Sequence, residues 1–289
     1  MKTTDALQLL LLTMIWGISF LLIKIAGLSF PPVWLACLRL LLGGTVLFVV
    51  LKAMKRKMFS RENLPWLVLQ GLIGSALPFT FFALGEQTIN SSLAGVLNAT
   101  TPCFAALIGV MLGDSSLNSR RILGVGLGLL GVVIAVSGSL QLEGSLLGIT
   151  VITIASILYA VVPYIAKRFL RGVDPLAIAF GQVMSAGLML IPVAVFSRPG
   201  IVTLPAIGAV VILGVFGSGI AYALFYSVLP RISATQASSI TYVIPIWSIL
   251  WGALAGEHIG LETIFGFMVV ITGVILINTD FQFFVRKPA

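Results

Sequence analysis

The residues of this chain suited to holding a solute are few, and they stand inside apolar runs. Asn98, Thr101, Thr241 and Tyr242 bring hydrogen-bonding groups, Ser19 adds a hydroxyl, and Trp16, Phe79, Phe82, Tyr159, Tyr222 and Tyr226 bring aromatic surface. Lys24 and Arg39 are the cations within such runs. Residues of these types recognise a molecule by hydrogen bonds, by stacking and by pairing with a carboxylate. They do not by themselves transfer a group. No phosphate-cradling loop, HExxH or GxSxG pattern is present, so no catalytic residue and no cofactor is expected. Cys37 and Cys103 have neither disulfide-framework nor metal-ligand spacing and read as packing residues.

Composition says what must position these groups. The chain is 59% hydrophobic and 9% charged, against about 25% charged for a soluble domain. Mean hydropathy is +1.14. Apolar runs of about 18–25 residues recur, long enough to cross a bilayer as helices, and they lack the alternation of barrel strands. The spans expected are 6–27, 32–52, 63–85, 90–112, 119–138, 145–166, 175–196, 203–228, 234–255 and 260–279. The first follows Lys2 but has no small-residue cleavage site behind it, so it reads as a retained helix.

The net charge of +8 reads as topology rather than nucleic-acid binding. With the N-terminus in the cytoplasm, fourteen of the seventeen basic residues fall on the inner side and only Arg198 on the outer. Both termini are therefore expected in the cytoplasm.

The chain is also a duplication. The segment from Gly71 to Phe82 returns as Gly214 to Phe225, a shift of 143 that also maps Lys24 onto Lys167, Pro32 onto Pro175 and Pro102 onto Pro245. The halves are expected as 1–140 and 141–289. Each holds five spans, an odd number, so the second enters the membrane inverted relative to the first. Inverted repeats place a solute site between the halves and offer a route to alternating access. The fold expected is an all-α integral membrane protein of ten transmembrane helices in two inverted five-helix repeats.

Within the repeat, spans four and nine carry matching small-residue faces. Gly95, Asn98, Pro102, Gly109 and Gly113 answer to Ser238, Thr241, Pro245, Ser248, Gly252 and Gly256. The Gly109–Gly113 and Gly252–Gly256 pairs suggest close helix packing. Pro102 and Pro245 should free the carbonyls of Asn98 and Thr241, while Pro78 and Pro163 are further candidate kinks. Lys24 either snorkels to the headgroups or meets a substrate carboxylate. Arg39 lies deep in span two, where a charge is a functional or structural-pair candidate, with Glu86 or backbone carbonyls as partners. Its repeat mate is the neutral Gln182. No Asp or Glu falls in mid-span, and Glu86 and Glu257 lie at span ends. That absence argues against proton-driven efflux of cations and favours a neutral or zwitterionic solute.

Trp16-Gly17 in span one, Pro32 followed by Arg39 in span two, and the prolines midway along spans four and nine resemble the drug/metabolite transporter superfamily, in its EamA-type branch. The resemblance implies a basket-like bundle with a central cavity lined by spans one, three, four, six, eight and nine, with five and ten peripheral. It also implies export of amino acids or related metabolites across a bacterial inner membrane. A lipid or lipid-linked-sugar flippase or scramblase, and a nucleotide-sugar or phosphate-sugar exchanger, are the alternatives. The expected partners are a small solute and membrane lipid, with no nucleic acid. Monomer and homodimer both stay open, since Gly124–Gly128 in span five suits either dimerisation or packing within the bundle.

Overall fold

The computed structural model describes residues 3–113, 118–138, 145–228, 231 and 240–278. These residues are all-helical, with no strand among them. The spans are α1 (Thr3–Gly27), α2 (Pro32–Ala53), α3 (Arg61–Gly85), α4 (Ser91–Met111), α5 (Ser119–Ser137), α6 (Ser145–Phe169), α7 (Pro175–Val195) and α8 (Leu204–Val228), each long and apolar enough to cross a membrane. The shorter α9 (Ile240–Leu254) and α10 (Leu261–Asn278) complete the set. The first six residues expected in span nine, with Ser238 among them, lie outside the described residues, as does the side chain of Thr241.

Helices pair as an inverted repeat requires. The α2–α7 and α5–α10 pairs join equivalent helices of the two halves. The remaining large contacts come in related sets: α1 on α9 with α6 on α4, α8 on α2 with α3 on α7, and α1 on α8 with α6 on α3. Lipid tails are as apolar as leucine, so these contacts rest on close van der Waals fit. Small residues supply it. In α5 a Cβ on Gly124 would strike Gly273 O and Ile277 of α10, and one on Gly131 would strike Gly266 O and Val270. The α5 glycine stripe is thus a packing seam within the chain. Leu129, Leu130 and Val133 of α5 and Phe265 and Met268 of α10 are exposed, as a lipid-facing surface should be.

The second glycines of the two expected packing motifs do something else. Gly113 and Gly256 have φ of +69° and +81° with open space around them, so they turn the chain out of α4 and α9. Gly252 does pack, against Ser92 and Glu257.

Two helices widen inside the bundle. α3 winds as π-helix over Leu72–Ala76 and α8 over Leu213–Ile220, and the 143-residue shift relates the two segments. A π turn inserts an extra residue and disturbs the hydrogen-bond ladder, most often near functional sites. Here each π segment docks on a helix of the other half. A Cβ on Gly71 would strike Ser185 and Gln182 O of α7, and one on Gly214 would strike Leu42 and Arg39 O of α2. Arg39 and Gln182 are themselves repeat mates.

Candidate functional site

The π segments border a central cavity of about 390 Å³, inside the range of roughly 300–1,000 Å³ of small-molecule sites. Its walls come in repeat-related couples: Trp16 with Tyr159, Phe79 with Tyr222, Phe82 with Phe225, and Thr101 with Ile244. The cavity therefore straddles the pseudo-two-fold axis. Ser19, Phe20, Ile23, Asn98, Gly217 and Ile240 complete it with Arg39. The six spans expected to line it do so, and α2 joins them through Arg39.

Among the described residues Arg39 is the only charged side chain on the wall. It is 6% exposed. Its Nε donates to Ser218 Oγ at 2.9 Å, and the guanidinium carbon stands 4.2 Å from the Phe79 ring centroid. Among the described residues neither Glu86 nor a carbonyl hydrogen-bonds it; Ser218, across the repeat, is the partner. Sequence pattern could not supply that contact, which joins positions 179 apart. Trp16 Nε1 donates to Gly217 O at 3.1 Å, holding its ring edge-on to Tyr222 at 6.0 Å and beside Phe225 at 5.8 Å. On the other side Phe82 packs on Phe20 at 5.6 Å and on Tyr159 at 6.0 Å. The aromatic parts of α3 and α8 thus meet at one chamber.

Asn98 half-faces this chamber, and its Oδ1 is buried without a hydrogen-bond partner among the described residues. The carbonyl that Pro102 frees is not the available group. α4 breaks after Asn98 and resumes at Thr101, whose Oγ1 donates to Asn98 O at 2.8 Å. The break turns the Asn98 side chain, rather than its backbone, into the unsatisfied acceptor. The other prolines act differently from one another. Pro78 opens the α-helical part of α3 that follows the π segment, whereas Pro163 and Pro245 lie inside continuous helix.

Three expected residues stand apart from the cavity wall. Tyr226 packs behind it on Tyr222 and Phe225, at 6.4 and 5.4 Å. Tyr242 packs on the larger apolar core. Lys24 turns to the end of the bundle, where its Nζ lies 3.4 Å from Glu257 Oε1 and donates to Ile89 O and Asn90 Oδ1 at 3.3 and 3.2 Å. At the opposite end Arg231 pairs with Asp5 at 2.9 Å and with Gln8 at 2.9 Å. Each end of α1 is thus tied to the second half. Missed from sequence were Ile23, Ile240 and Ile244. The Ile244 position was available from the repeat, as the mate of Thr101.

Glu86 ends α3, as expected, and is 2% exposed there. Both of its oxygens lack a hydrogen-bond partner among the described residues.

A duplicated helical bundle that encloses an aromatic chamber between its halves is a multi-pass membrane transporter of small solutes. The EamA-like transporter family model matches residues 4–137 and again 146–279, so the chain belongs to that family. It is 28% identical over 288 residues to the uncharacterized inner membrane transporter YedA of Escherichia coli (strain K12), covering 96% of this chain and 91% of that one. An uncharacterized transporter of Archaeoglobus fulgidus is 26% identical over 266 residues, with 91% and 94% covered. YoaV of Bacillus subtilis (strain 168), also named an uncharacterized transporter, is 24% identical over 289 residues, with 97% and 98% covered. One solved crystal structure shares the fold, with a TM-score of 0.69 at 19% identity and 96% of each chain covered.

Proposed function

We propose that the protein is a secondary transporter that exports amino acids or related small metabolites across the bacterial inner membrane by alternating access of its two halves, 1–140 and 141–289. Both termini lie in the cytoplasm on this reading, and the N-terminal end of α1 is the inner end. The observation that carries it is Arg39 on the wall of the aromatic chamber. Among the described residues only its Nε has a hydrogen-bond partner, so the terminal nitrogens are free for a carboxylate. Asn98 Oδ1 is an unused acceptor suited to an ammonium group. The rings of Trp16, Phe82, Tyr159 and Tyr222 would enclose an apolar side chain. A wall with one cation and no carboxylate among the described residues suits a single carboxylate better than the multiple charge of a phosphate ester, which weighs against the nucleotide-sugar reading.

The test is counterflow in proteoliposomes preloaded with mixed amino acids, offering one radiolabelled amino acid at a time. Saturable accumulation that requires the internal pool, and that falls when the amino acid is offered as its amide, supports the reading. Absence of accumulation for every amino acid, from folded protein, overturns it.

A further inference from the structure

The end of the bundle that holds Lys24 is fastened by charges from separate parts of the chain. Glu257 lies in the connection between α9 and α10, yet it caps α4. Its Oε1 accepts from Ser91 N–H at 3.0 Å, and its Oε2 accepts from Ser92 N–H at 3.2 Å and Ser92 Oγ at 2.9 Å. Lys24 of α1 pairs with the same carboxylate and also holds the α3–α4 turn through Ile89 and Asn90. One latch therefore ties α1, the start of α4 and the α9–α10 connection.

Glu86 sits in the turn that this latch secures. Its backbone N–H bonds Phe82 O at 3.0 Å, and its side chain is enclosed with no donor for either oxygen among the described residues. An ionised carboxylate is not held cheaply in such a place; the neutral, protonated carboxyl is. The charges that act on it come from three elements: Glu257 beyond α9, Lys24 of α1 and Arg39 of α2. Tyr159 of α6 is the nearby titratable residue that stacks on Phe82. Phe82, one turn before Glu86, belongs to the cavity wall, so the turn and the chamber are mechanically joined.

We propose that Glu86 is the proton-binding site of a latch: protonated, it lets the Lys24–Glu257 pair stay closed over the cavity, and ionised, it repels Glu257, attracts Lys24 and releases the start of α4. The proton is exchanged with water at this end of the bundle. The proposal rests on the cavity opening to one face at a time, not on which solute it carries. Burial, then the charge of Glu257, holds the Glu86 carboxyl well above the usual carboxylate range, while Lys24 and Arg39 pull it back. The latched form therefore binds the proton more tightly than an opened, hydrated form. It is favoured as pH falls and lost as pH rises through that raised value. For Glu257 burial acts upward too, but the Ser91 and Ser92 hydrogen bonds and Lys24 outweigh it and hold the group below its ordinary value, so it stays an anionic cap.

The test uses spin labels on Gln87→Cys and His258→Cys, exposed positions on the two sides of the latch; the native Cys37 and Cys103 are buried. Pulsed electron-resonance distances are read in lipid, without solute, across a pH series. One short distance at low pH that gives way to a longer one at high pH, and that stays short at every pH in Glu86→Gln, supports the latch. A distance that ignores pH, or an unchanged pH response in Glu86→Gln, overturns it. Should Glu86→Gln fail to fold, infrared difference spectra of the unaltered protein decide. A buried protonated-carboxyl band that disappears at the pH of the distance change supports the proposal, and its absence at neutral pH overturns it. Since no solute is present, failure here is separable from failure of the amino-acid reading.

Discussion

The two junctions where a π segment of one half docks on the other half have the same geometry and different chemistry. At one, Arg39 of α2 donates to Ser218 of α8. At the other, Gln182 of α7 donates to Ser75 of α3 at 2.9 Å and to Gly74 O at 3.2 Å. Arg39 and Gln182 are repeat mates, and so are Ser218 and Ser75. A third couple separates them. Gln70 donates to Gln182 Oε1 at 2.7 Å, and its mate is Leu213. The Gln182 amide is thereby used within the protein on both of its atoms. Arg39 has leucine where that extra partner would be, so its remaining donors are left to the cavity. Duplication supplied the scaffold twice, and divergence at these two couples turned one copy into a brace and the other into a potential binding group.

The largest expected effect comes from erasing that difference. Arg39→Gln gives the α2 junction the residue of its mate. If Arg39 binds the carboxylate, losing a charged hydrogen bond of roughly 1.5–3 kcal/mol should raise the counterflow KM by about tenfold to a hundredfold. Gln can still reach Ser218, so thermal stability should stay near the native value. Native KM in a folded Arg39→Gln protein would remove Arg39 from the site.

A second exchange approaches from the other side. Leu213→Gln rebuilds beside Arg39 the partner that Gln70 provides to Gln182. Its carbonyl oxygen should take up a guanidinium donor and compete with solute, raising KM by about tenfold, or about 1.4 kcal/mol. A general packing defect at this fully buried position would instead lower the amount of folded protein and leave the KM of the survivors unchanged. The two outcomes are separated by measuring yield and KM on one preparation.

How much of this contrast was legible depends on what each feature needs. The 143-residue shift matched Arg39 with Gln182 and marked the Gly-rich stretches, and hydropathy gave the spans. The π winding was hidden because α and π segments carry the same apolar composition. The Ser218 contact was hidden because helix docking is set by three-dimensional fit between distant positions. Asn98 was read as bringing both its freed carbonyl and its side chain to cavity depth, and Thr101 takes up the carbonyl. Glu86 was read as a span-end charge, since nothing near it in sequence announces that the turn is buried under a latch from the other half. Lys24 showed the same limit: its partner lies 233 positions away, in a loop.

The smallest effect is the most selective, because it removes the same bond from both junctions. Ser218→Ala and Ser75→Ala each delete one buried hydroxyl, and each should cost about 1 kcal/mol of stability. Their functional consequences should part. Without Ser218 the guanidinium loses its fixed edge and depends on Phe79 alone for orientation, so its terminal nitrogens no longer wait in one place. The ordering of Arg39 is then charged to solute binding, and KM should rise a few-fold, about fivefold for 1 kcal/mol. Without Ser75 the Gln182 amide still donates to Gly74 O and still accepts from Gln70. Neither atom faces the cavity wall, so KM should not move. Equal changes in KM for the two variants would mean that the junctions act only as braces, and that Ser218 does nothing for the cavity that Ser75 does not do for its own side.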